Sequence, residues 1–186
     1  MRFTLSTLFA LATTVLVRAA HTEQIVMSSP EGPNLFDLLT IEPSVSIFFS
    51  YARETEISKL LVDRPKNTLL VPTNRAVMAL ARKPHQDASP VDDGLEMTEQ
   101  ELDERSKGNV LRWVSMHIIP IPDLELADRE YPTLADDKSV TFRLVDADEK
   151  KPDWARLAVD GEIHLLQKKE ASNGVFYIVD GTVKDE

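Results

Sequence analysis

The chain has no cysteine. That absence excludes a disulfide framework, a zinc-thiolate site and a cysteine nucleophile, and leaves the compartment to be read from other signals. Beyond the first twenty residues no apolar run reaches the length of a membrane span, so no integral span is expected once an N-terminal leader is removed. There is no Asn-X-Ser/Thr sequon, and N-glycosylation is not expected. A Gly-X-Ser-X-Gly elbow, a phosphate-cradling glycine loop and a His-Glu-X-X-His helix are also missing. Positive charge is the scarcer sign: 21 Lys and Arg stand against 31 Asp and Glu, for a formal charge of −10. An acidic surface of this kind disfavours nucleic acid and anionic lipid as partners and favours solubility.

What is present begins with an address. Arg2 is a basic start, residues 3–17 are apolar apart from Ser and Thr, and small residues follow at a cleavage position. Residues 1–19 therefore read as a signal peptide, cut after Ala19, with an uncleaved amphipathic helix as the alternative. Its loss removes Arg2 and Arg18 and takes the formal charge from −10 to −12. Residues 20–33, polar with Pro30, Gly32 and Pro33, read as a flexible leader, and 184–186 as a short acidic tail. No repeat or linker divides 34–183, a length suited to one domain.

Within that domain, residues 67–80 (NTLLVPTNRAVMAL) join two periods across one proline. Thr68 to Val71 form a β-favouring run, Pro72 ends it, Thr73 or Asn74 caps a helix, and Val77, Met78 and Leu80 supply apolar positions. Upstream, Asn34 caps a short helix with Leu35, Leu38 and Leu39 inward. Pro43 opens a second helix carrying Val45, Phe48 and Phe49, and Ile57, Leu60 and Leu61 mark a third. Residues 82–97 read as a polar surface loop. Thr98 and Glu101 have capping-box spacing, Lys107-Gly108 is expected to interrupt that helix, and a further helix from Asn109 to before Pro120 is expected to face Val110, Leu111, Val114, His117 and Ile118 inward. Beyond Pro122 the period changes to two, with Asp160-Gly161 and Asn173-Gly174 as hairpin turns. Strands following helices predict an α+β fold.

These segments carry a family resemblance. Residues 67–80 resemble the first signature of the fasciclin-like domain family; 111–120 (LRWVSMHIIP), 131–134 and 173–183 (NGVFYIVDGTV) resemble its later helix, short strand and closing hairpin. The resemblance covers 34–183 and implies a single fasciclin-like domain, a β-sandwich or wedge with several packed helices. It also implies a noncatalytic interaction or adhesion role, as in secreted or membrane-associated members and in fungal single-domain members that include vacuolar proteins. Two positions depart from the pattern: Met116-His117 replaces the tyrosine-histidine pair of animal adhesive members, and Tyr177 stands where the closing strand often carries histidine.

Candidate chemical groups are few. His117, on an apolar helix face, reads as a structural histidine rather than a base or ligand. His21 is a copper ligand only if cleavage follows Ala20. His85 reads as a loop residue and His164 as a strand residue. The acids at Asp92-Asp93, Asp136-Asp137 and 146–149 lack the calcium-loop pattern and read as solvated turns. No cofactor or metal is expected. The expected function is a noncatalytic interaction domain of the secretory pathway, with the vacuole lumen favoured over the extracellular space or cell wall. Its partner is an unidentified protein or glycan, and Asp87, Asp92 and Asp93 in the 82–97 loop are candidate contacts. The rival is a glycan-active enzyme with carboxylates dispersed across a cleft.

Overall fold

The computed structural model describes residues 32–63, 66–86, 98–122 and 124–185. The chain forms α1 (Leu35–Thr40), α2 (Ser46–Arg53), α3 (Ile57–Val62), β1 (Asn67–Pro72), α4 (Asn74–Ala79) and α5 (Glu99–Ser115). It continues through β2 (Ile118–Ile119), β3 (Glu130–Pro132), β4 (Ser139–Leu144), β5 (Leu157–Val159), β6 (Ile163–Ala171) and β7 (Gly174–Val179). The strands join in one seven-stranded sheet ordered β2-β1-β7-β6-β5-β4-β3. Every pairing is antiparallel except the parallel pair β1 and β7. This is the expected α+β architecture, as a mixed sheet with packed helices.

Local chemistry sets the helix starts. Asn34 and Asp37 form a reciprocal capping box at α1, and Thr98 and Glu101 form another at α5. Thr73 caps α4 by accepting the Ala76 N–H at 3.2 Å. Asn74 bonds across to another helix instead. Its Oδ1 accepts the Ile47 N–H at 2.9 Å and its Nδ2 donates to the Pro43 carbonyl at 2.8 Å, pinning α4 to the start of α2. The β1 run is buried at all six positions, as a strand covered on both faces must be. β2 pairs only with Thr68 and Leu69, so Pro72 lies beyond its end, where a missing donor is tolerated.

Four local expectations are corrected. Lys107-Gly108 does not interrupt a helix; α5 runs unbroken from Glu99 to Ser115. One interior glycine weakens a helix by about 1 kcal/mol, and the capping box, the Asp103–Lys107 pair and the buried Val110, Trp113 and Val114 outweigh it. That helix also stops short of Pro120. Ile118 and Ile119 pair with Leu69 and Thr68 as β2, because the residue before a proline is pushed toward extended backbone and β1 offers pairing that a further helical turn does not. Met78 is exposed rather than inward. Finally, the last hairpin turns on Ser172 and Asn173, with Gly174 already paired to Ala171 and to Asn67.

The hairpin from β5 to β6 turns as expected on Asp160 and Gly161. Their consecutive positive φ values of 52° and 75° define the turn that matches strand twist. Gly174 is required for a different reason: a Cβ there would stand 2.2 Å from the Asn67 carbonyl oxygen and 2.9 Å from Leu35 Cδ1. Asn173 beside it is buried and central. Its Oδ1 accepts the Leu35 N–H at 2.8 Å, and its Nδ2 donates to the Leu61 and Asp63 carbonyls at 2.8 and 3.1 Å. One side chain thus ties α1, the end of α3 and the closing hairpin.

Candidate functional site

On α2, Phe48 and Tyr51 lie three residues apart and project from one face; Trp113 lies in the last turn of α5, and His117 follows four residues later, just beyond the helix end. Packing of the two helices interleaves these rings. Trp113 lies 4.7 Å from His117, 5.5 Å from Phe48 and 5.7 Å, edge on, from Tyr51, and the Tyr51 ring is 6.5 Å from that of His85. The result is an aromatic column running from a fully buried imidazole to a surface one.

At its inner end, His117 Nδ1 lies 2.8 Å from the Trp113 carbonyl, and the Val183 N–H donates to Nε2 at 3.1 Å. A carbonyl only accepts and an N–H only donates, so Nδ1 carries the proton and the ring is neutral. Burial pushes the imidazole down to about 4, against an upward pull from the Trp113 carbonyl. Both nitrogens are thereby engaged inside the protein.

At its outer end the column opens on a cleft of about 790 Å³ between the α2–α3 connection and α5, whose lining includes Tyr51, Glu54, His85, Gly108, Val110 and Leu111. Tyr51 Oη is 3.4 Å from His85 Nδ1. Burial, and secondarily the charge of Glu54, raises the Tyr51 phenol. A second, smaller cleft of about 350 Å³ lies along α5 near Lys83, Arg112 and Asp185. The charged groups there are engaged. Arg112 donates to both oxygens of Asp185 and to Asp137, and the Lys83 ammonium donates to the Met78 and Leu80 carbonyls at the end of α4.

The remaining sequence candidates do not converge. Asp87, Asp92, Asp93 and His21 lie outside the described residues, as does the segment read as a signal peptide. His164 is exposed and pairs with Asp180 at 3.1 Å. Asp137 serves Arg112, and Asp146 serves Lys151. Among the described residues no group of three or more His, Asp or Glu side chains is placed to hold a metal. Where the structure perturbs a carboxyl, it lowers it: Arg112 does so for Asp137 and Asp185, Lys151 for Asp146, Lys168 for Glu170, and Lys169 for Glu42. A carboxylic general acid requires the opposite shift. The cleft residues Tyr51, Glu54 and Gly108 were not legible as a site, since each reads alone as an ordinary helix-surface residue.

Fold likeness gives the class. The structure superposes over 82% of this chain and 51% of the FAS1 domain pair from the insect cell adhesion molecule fasciclin I, with a TM-score of 0.53 and 14% sequence identity, so the fold is fasciclin-like. Sequence likeness is to fungal FAS1 domain-containing proteins. One from Aspergillus fumigatus is 38% identical over 95 residues, 48% of this chain and 41% of the relative. One from Emericella nidulans is 29% identical over 158 residues, 81% and 62% respectively. The resemblance to the fasciclin-like domain family carried by the sequence motifs is borne out by both comparisons. No protein-family model matches the chain. The chain spans less than two thirds of the length of these curated relatives.

Proposed function

We propose that this chain is a noncatalytic interaction domain of the secretory pathway, acting in the vacuole lumen or, alternatively, outside the cell, with its sheet curled into the sandwich or wedge of its family. The observation that carries the reading is His117. The one histidine inside the recognised motifs has both ring nitrogens bonded to the protein's own backbone, so its role is to tie the end of α5 to the segment after β7. The fasciclin-like fold supports the same reading, as do carboxyls that are lowered wherever they are perturbed. No helix among the described residues is long and apolar enough to cross a membrane.

Asp87, Asp92 and Asp93 belong to this proposal as charged partner contacts, supported by the polar, proline- and glycine-broken composition of residues 82–97. Proximity labelling by the secreted chain, repeated with all three changed to asparagine, tests it. The triple variant is expected to fold normally and to capture less partner, most clearly at low salt where attraction is least screened. Equal capture across a salt series removes the loop from the proposal. Reproducible turnover of a glycoside panel by the purified chain overturns the noncatalytic reading. A first residue other than Ala20 on the mature protein overturns the expected cleavage site, and an intact Met1 overturns the secretory assignment.

A further inference from the structure

The cleft at the outer end of the aromatic column contains a residue that the fold does not explain. Gly108 lies within the seventeen-residue helix α5, where glycine weakens the helix, yet a Cβ there would meet nothing within 4 Å. No internal close approach requires it. The missing side chain instead keeps the cleft wall low beside Leu111, one turn away on the same face.

Charge and polarity complete the picture. The lining carries the carboxylates of Glu54, Glu56 and Asp103 against the single ammonium of Lys107, which leaves two negative charges. Asp103 is joined to Lys107 at 2.6 Å, whereas Glu54 and Glu56 have no ion pair among the described residues. The Thr55 hydroxyl is turned to the Ala52 carbonyl at 2.8 Å. The surface offered is thus apolar and aromatic at its base, from Tyr51, Val110 and Leu111, and acidic at one lip.

The geometry points to this cleft as a docking groove for a basic peptide segment of a partner protein. An aliphatic or aromatic side chain seats against Tyr51, Val110 and Leu111, the peptide backbone passes over Gly108, and a Lys or Arg pairs with Glu54 and Glu56. Acidic peptides and nucleic acid are repelled by the same lip. This rests on the interaction-domain reading and gives the partner its chemistry.

The test is selection of a displayed random heptapeptide library on the full secreted chain, followed by fluorescence-anisotropy titration of the recovered peptides. The expected sequences place Lys or Arg beside an apolar anchor. Gly108→Leu fills the groove where nothing else stands, and is expected to weaken binding about tenfold while the unfolding temperature stays the same or rises. Glu54→Gln with Glu56→Gln is expected to weaken it about fivefold at low salt, with the difference vanishing at about 0.5 M salt. Recovery of no sequence beyond those selected on Gly108→Leu, enrichment of acidic peptides, or affinity indifferent to these variants overturns the proposal. So does binding that appears only when residues 87–97 are replaced by a short linker, because the chain itself is then the occupant. Partner capture that survives Gly108→Leu removes the groove and leaves the interaction reading standing; turnover removes that reading itself.

Discussion

His117 makes stability depend on pH through a single ring. Its folded value is about 4 against an ordinary 6.5, so below about 6.5 the unfolded chain takes up a proton that the native state refuses. The contribution is fully present above that point, declines as pH falls, and reaches a loss of about 2 kcal/mol by about pH 5. Urea midpoints at about pH 7.5 and about pH 5 should show this loss, and His117→Gln should flatten the slope while lowering stability at neutral pH by about 1–3 kcal/mol. A variant that keeps the wild-type slope refutes the buried neutral ring. Asn173 acts without titrating. Asn173→Ala strands the Leu35 N–H and the Leu61 carbonyl in a buried site, and an unfolding free energy lower by about 2–4 kcal/mol is expected. A change within about 0.5 kcal/mol shows that water replaces the amide without loss.

At the scale of elements, α5 is the instructive case. Its start was legible in Thr98 and Glu101, because a capping box is written within four residues. Its continuity through Gly108 was not, since a weak local preference yields to packing of Val110, Trp113 and Val114 further along. Gly108→Ala should therefore strengthen the helix by about 0.5–1 kcal/mol and raise the unfolding temperature by about 2–4 °C; a lowered temperature means that something does pack against this position. The corner at residues 67–80 was legible for the same reason as the cap: run, proline and threonine lie side by side. β2 was not, because Ile118 and Ile119 become a strand only by meeting β1 some fifty residues earlier. Nor was the cleft, which exists only once α2 and α5 are packed together. A histidine on an apolar face was visible in the sequence, but its partner Val183, far along the chain, was not.

The molecule as a whole is held by its most distant pairing. β7 lies between β1 and β6, and in the parallel pair Asn67 faces Gly174, more than a hundred residues away. Such long-range closure slows folding, because chain entropy is lost before the contacts form. Removal of residues 174–185 takes away an interior strand together with the donor that holds His117 Nε2, and such a chain is expected to be digested rapidly under limited proteolysis that spares the intact protein. Resistance of the shortened chain places the stabilising centre elsewhere.

The position of β7 also sets an order of events during synthesis. Emerging from the ribosome, α1 to β6 face an empty slot in the sheet, and β1 has no neighbour on that side until residues 174–179 arrive. The sheet is completed only after residues 174–179 have been made, so the segments before them wait with an unpaired strand edge until β7 fills the place between β1 and β6.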